Sequence, residues 1–205
     1  MSANCTVTHS IDPERASLLE MLHDYDATDP VDQERRDRFI AFVSSEPDCF
    51  CRSLLSGHVT CSAWLLSPCR QKVLLTLHAK LGRWLQLGGH ADGNADVVSV
   101  ALNEAKEESG IARIFLLTPK ILDIDIHHIP MLHSTPEHLH YDVRFLLQAH
   151  ETLTWKTNES IDLKWVRMEQ ITEDEFGPSL ARMNRKAASF LRELQSLNTT
   201  PLGGK

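Results

Sequence analysis

Three glutamates, Glu104, Glu107 and Glu108, stand at i, i+3 and i+4 in the segment LGGHADGNADVVSVALNEAKEESGI, residues 87–111. At ~100° per residue, this spacing places them on one stripe of a helix. Three crowded carboxylates repel one another, so the stripe must either be fully solvated or hold a hard cation such as Mg²⁺ or Mn²⁺, which prefer oxygen ligands. Gly88-Gly89 lies upstream, where a chain without side chains can approach a phosphate or a metal closely. A second set of residues is nitrogen-rich. In the strand-like stretch EHLHYDVRF, residues 137–145, His138, His140, Asp142 and Arg144 alternate and so share one face. His90 follows the Gly-Gly pair, and His58 opens an apolar run. Imidazoles are donors for transition metals, and histidine and arginine together also suit phosphate.

The elements that must position these residues can be read from the periodicity. Val98, Ala101, Leu102 and Ala105 give the acidic helix a buried side over Asp96–Ser109. Asp96 is placed to cap its start and Gly110 to close it. Two helices are expected near the N-terminus, at about 13–25 and 31–45, the second ended by Pro47. Strands are expected at 58–66, 72–78, 84–87, within 114–129 (broken by Pro119), at 137–149 and at 163–166, followed by a helix at about 179–197. Strands mixed with a few helices, without regular β-α alternation, predict an α/β fold: an α/β/α sandwich around a mixed β-sheet, with an N-terminal helical extension and a C-terminal helix. The expected division is an extension at 1–50, a catalytic-type domain at 51–197 and a disordered tail at 198–205.

Gly89, Glu104, Glu107, Glu108, Gly110 and Ile111 fall in register with the Nudix box, G-x5-E-x7-R-E-U-x-E-E-x-G-U, where U is a bulky apolar residue. The region from about 56 to 170 therefore resembles the Nudix hydrolases. Ala105 fills the first U position as a small residue. Ala95 stands where the box has its first Glu, and Asn103 where it has Arg, so a bracing ion pair is missing. The resemblance implies a Nudix-type sandwich and hydrolysis of a nucleoside-diphosphate-type pyrophosphate bond. It further implies Mg²⁺ or Mn²⁺ held by Glu104, Glu107, Glu108 and the Gly88 carbonyl. Glu104 is the first choice for general base, and the alternatives lie in a distal loop at Glu159 or Asp162. Arg144 is expected to bind substrate. His58, His90, His138, His140 and Asp142 are expected to meet near the Gly-Gly turn as a second metal or phosphate site, with a transition-metal ion as its cofactor. That layout resembles the type I isopentenyl diphosphate isomerases, but Gly88 stands where those enzymes need a cysteine. Two other functions compete with hydrolysis: a weakened Nudix domain acting as a nucleotide or partner sensor, and an isomerase-like enzyme. His127 and His128 receive no role.

Composition bounds the partners. The net charge is −7, and no Lys/Arg cluster suggests a grip on a nucleic-acid duplex. Arg182, Arg185 and Lys186 read as the solvated side of the last helix. The expected partner is a small-molecule diphosphate. The five cysteines form no C-x-x-C pair and read as reduced thiols of a cytoplasmic protein. No apolar run is long enough for a membrane span, and the start of the chain lacks a signal-peptide core.

Overall fold

A computed structural model describes residues 13–78, 81–131, 136–152, 154 and 160–199. Their elements are α1 (Pro13–His23), α2 (Pro30–Ser45), β1 (Gly57–Leu66), β2 (Lys72–His78), β3 (Trp84–Leu85), β4 (Leu87–His90), α3 (Val97–Ser109), β5 (Ile114–Leu116), β6 (Asp123–Ile129), β7 (His138–Ala149), β8 (Ser160–Arg167) and α4 (Glu173–Thr199). The architecture is the mixed-sheet α/β/α sandwich read from the sequence. Parallel pairing of β1 with β7 forms its centre, and the other pairings are antiparallel. β4 and β2 share the far edge of β1, while β6 and β5 share the far edge of β7. The expected 84–87 strand is split in two, because β3 joins β2 whereas β4 crosses to β1.

Period-two alternation sorts the sheet residues into two cores. Val59, Cys61, Ala63, Val143, Phe145 and Ile124 pack beneath α1, α2 and α3. The N-terminal helices are part of this core rather than a detached lobe: Phe42 of α2 stacks on Tyr141 of β7 with ring centroids 3.7 Å apart. On the opposite face, Trp64, Leu66, Val73, Leu75 and Leu146 pack beneath α4 through Leu180, Met183 and Ala187. Fully burying each large aliphatic side chain contributes roughly 1.5–3 kcal/mol, so the two apolar stripes hold the helices in place. α4 starts with a short turn and bends at Gly177-Pro178, where Gly177 has φ 82°. It runs to Thr199, and residues 200–205 of the expected tail lie outside the described residues. None of the described helices is long and apolar enough to cross a membrane. Cys49, Cys51, Cys61 and Cys69 are free thiols, and Cys5 is outside the described residues.

Candidate functional site

α3 begins and ends where its sequence dictates. The Asp96 carboxylate accepts from the Ser99 N–H at 3.0 Å, a cap worth about 1 kcal/mol, and Gly110 closes the helix with φ 70°. Its buried side is rotated from the expected one. Val97, Val100, Ala101 and Ala105 are buried, whereas Val98 and Leu102 are only partly covered. The rotation carries Glu108 inward, since it lies on the same stripe as Val97, Ala101 and Ala105. The Glu108 carboxylate is buried and accepts from the Gly88 N–H at 2.9 Å. Glu104 reaches the same turn. A Cβ at Gly89 would lie 2.4 Å from the Glu104 carboxyl carbon, so only glycine leaves room for the carboxylate there. Glu107 is exposed one stripe over. The small Ala105 is fully buried and lets the helix lie close to β1 and β4, which brings Glu104 and Glu108 within reach of the turn.

The two departures from the box have physical counterparts. Ala95 packs against the core and, with Ser17 and Met21 of α1, lines a pocket of about 220 Å³. The position that holds a charge in the box therefore sits beside a helix here. Asn103 is exposed. Beside the turn, Arg52 pairs with Asp92 through both carboxylate oxygens, and the backbone bonds Ala91 N–H to Val59 C=O and Gly93 N–H to Phe50 C=O tie the loop to its neighbours. The sequence reading missed the Arg52–Asp92 pair, because forty residues separate its members and no local spacing marks it.

The second face carries the polar stripe. His58, Thr60 and Ser62 of β1 lie beside His140, Asp142 and Arg144 of β7, and His127, Asp125 and Asp123 of β6 lie beyond them. The four expected histidines do meet. His58 lies 5.1, 4.9 and 4.9 Å, centroid to centroid, from His90, His138 and His140. His127 joins them, 5.3 Å from His140. Alternation alone could not choose between His127 and His128; the register of β6 on β7 sets His127 opposite His140, while His128 bonds exposed Glu137. Burial pushes the His140 imidazole down to about 2, reinforced by His90, His127, His58 and His138. Burial likewise takes His90 down to about 4, with Arg52 and His58 adding to the effect. His58 is lowered by burial and then by His138. His140, His90 and His58 are therefore held in the neutral form at physiological pH. His58 is 3% exposed, and neither of its ring nitrogens has a hydrogen-bond partner of full geometry among the described residues; a looser hydrogen bond to the Leu54 backbone favours a proton on the ring.

Three expectations are corrected. Arg144 does not face substrate: it is 2% exposed, and its guanidinium donates to Asp142 at 2.7 Å, Asp123 at 2.9 Å, Asp125 at 2.9 Å and Ser179 at 2.8 Å. Asp142 shares the histidine face but does not orient an imidazole, because it accepts from Thr60, Ser62, Gln86 and Arg144. Arg182 and Lys186 are not a solvated side of α4. Arg182 donates to Asp123 at 3.0 Å, and Lys186 pairs with Asp32 at 2.7 Å and Asp123 at 2.9 Å, whereas Arg185 is exposed as expected. Glu159 lies outside the described residues, and Asp162 sits in β8 opposite Leu77.

No protein-family model matches the chain, and no curated protein sequence matches it significantly. Among solved structures it is similar to a Nudix-family hydrolase from Clostridium perfringens, with 27% identity over 65% of this chain and 97% of that one and a TM-score of 0.45. It is also similar to the Nudix hydrolase RenU from M. smegmatis, with 23% identity, 73% and 91% coverage and a TM-score of 0.46. A third similar structure is an ADP-ribose pyrophosphatase from Streptococcus suis, with 16% identity, 65% and 91% coverage and a TM-score of 0.48. The resemblance of the chain to the Nudix hydrolases is carried by its own box residues, in register on a capped helix beside the Gly-Gly turn.

Proposed function

We propose that this chain is a metal-dependent Nudix-type hydrolase that cleaves the pyrophosphate bond of a small-molecule, nucleoside-diphosphate-type substrate. The observation that carries the reading is the convergence of Glu104 and Glu108 on the Gly88–Gly89 turn: one carboxylate lies against Gly89 and the other accepts the Gly88 N–H. The donors suit a hard cation, since Glu104, Glu107, Glu108 and the Gly88 carbonyl offer only oxygen, and glycine at position 89 keeps the space before Glu104 clear. When bound, Mg²⁺ or Mn²⁺ supplies charge neutralisation of the diphosphate and a more acidic water. The chain's own residues do the rest. Glu104 accepts the proton as a water oxygen forms its bond to phosphorus and the bridging oxygen departs with the leaving phosphate. Glu159 is the alternative base. The buried Glu108 holds the turn in register with α3.

Gly88 speaks against isomerase chemistry at this site. A Cβ there would lie 2.6 Å from the Cys61 carbonyl oxygen, so a cysteine does not fit the turn as it stands. The free thiols fit a reducing compartment, for which the cytoplasm is our proposal.

The test is a panel of nucleoside diphosphate derivatives incubated with Mg²⁺ or Mn²⁺, with product release followed for the wild type and Glu107→Gln. Glu107 is exposed, so its amide variant keeps the fold. We expect turnover to fall by about two orders of magnitude or more, because a charged ligand is lost from a site that works by charge neutralisation. Wild-type rates in Glu107→Gln would refute the assignment, and no hydrolysis across the panel would favour a binding role.

A further inference from the structure

The imidazole end of the second sheet face is absorbed by none of the proposed hydrolytic chemistry. We propose that His58, His138 and His140, with His90 as a fourth donor, form a binding site for a late first-row transition-metal ion of the Zn²⁺, Co²⁺ or Ni²⁺ class, distinct from the carboxylate site on α3. Its donors are different residues, so this proposal and the hydrolytic one can fail independently.

The distances suit one ion. One ring nitrogen each from His58, His138 and His140 lie within 4.8 Å of one another. His138 Nε2 and His140 Nε2 are 3.2 Å apart. Two nitrogens bound at 2.0–2.1 Å to a tetrahedral ion lie about 3.4 Å apart, so this pair is already at ligand spacing and small ring rotations close the remainder. His90 stands against two members of the set, 5.1 Å from His58 and 5.0 Å from His140 between centroids.

The tautomers suit it as well. His138 Nδ1 lies 2.9 Å from the Pro136 carbonyl oxygen, which can only accept. This contact favours the tautomer with the proton on Nδ1, in which Nε2 turns its lone pair toward His140. Carbonyls commonly orient metal-ligating histidines in this way. His58 supplies an independent observation. It is almost wholly buried, and both ring nitrogens lack hydrogen-bond partners of acceptable geometry among the described residues. Buried polar groups are nearly always satisfied, and a metal ion would satisfy this one.

The donor chemistry selects the ion. Neutral imidazoles suit Zn²⁺, Ni²⁺ and their neighbours, whereas Mg²⁺ requires oxygen. Two neighbouring carboxylates are committed elsewhere, Asp142 to Thr60, Ser62, Gln86 and Arg144, and Asp92 to Arg52. The ion would keep its full positive charge.

The experiment uses the full chain without a polyhistidine tag, stripped with chelator and titrated with Co²⁺ in the presence of excess Mg²⁺. Visible absorption and metal analysis after gel filtration are the readouts. We expect one Co²⁺ per chain, displaced by Zn²⁺, with affinity lowered at least about tenfold in His138→Gln and in His140→Gln and unchanged in Glu107→Gln. Circular dichroism checks the fold. Should His140→Gln fail to fold, the half-buried His138 at the start of β7 still decides the matter. Absence of stoichiometric uptake, uptake that survives the histidine substitutions, or uptake lost in Glu107→Gln would each overturn the proposal.

Discussion

One face of one sheet carries two polar clusters built on the same strands, and they differ in how their charges are answered. Toward α4, Arg144 and Arg182 meet Asp123 and Asp125, and Lys186 ties Asp123 to Asp32 of α2. The Arg144 side chain uses both terminal nitrogens and Nε. Four residues along β7, the partners are other imidazoles, and one ring has no hydrogen bond of acceptable geometry among the described residues. The first cluster is closed and joins α2, β6, β7 and α4 into one body. The second is built from ligand-type groups that are only partly satisfied among the described residues. Alternation in the sequence marks both stripes equally; what packs over each decides its role.

The comparison can be broken most directly at its charged end. Arg144→Met should cost about 3–5 kcal/mol, because it strands buried carboxylates that Arg144 neutralises. Urea denaturation measures the loss, and a cost near that of an exposed pair would show that the cluster is not a unit. A weaker probe of the same end is acid. Burial raises the Asp32 pKa, but the hydrogen bond and charge of Lys186 outweigh it, so the group ends below its ordinary value. At Asp125 burial is likewise outweighed, by Arg144 and Arg182. Both carboxylates are lowered by folding, so the unfolded chain takes up their protons at higher pH. Their contribution is whole above the ordinary carboxylate pKa of ~4 and is lost as pH falls below it. Lys186→Met should flatten the melting-temperature profile below pH ~4, and an unchanged slope would remove Lys186 from the account. The smallest effect belongs outside the face, at Arg52–Asp92. That pair is half exposed, so Arg52→Ala should change stability by only about 0–1 kcal/mol. If the pair braces the turn, turnover should fall by more than stability does; equal, negligible effects would leave the turn braced by Glu108 and backbone bonds alone.

Much of this was legible locally. The box helix could be delimited because its caps are sequence-local: Asp96 reaches only as far as Ser99, and Gly110 follows the last turn. The meeting of His138 with His140 follows from strand periodicity, and the placement of His58 opposite Cys61 follows from the same rule. The rotation of the helix, by contrast, depends on how closely Ala101 and Ala105 let it approach β1 and β4, which periodicity in a helix rich in small apolar residues does not set.

By itself, the sequence determined the elements, the two-faced sheet and the grouping of chemistry-bearing residues, because periods of 2.0 and 3.6 residues and capping contacts act over a few positions. Only the tertiary structure decided that Arg144 is a structural counter-ion, that Arg182 and Lys186 turn inward, and that His127 rather than His128 joins the imidazoles. It also decided that Ala95 lies beside α1, where the box elsewhere places a charge. Each of these outcomes depends on a partner tens of residues away, set by strand register or helix packing. Burial and Coulombic pairing act through space, and no local pattern in a single chain records which distant charge will arrive.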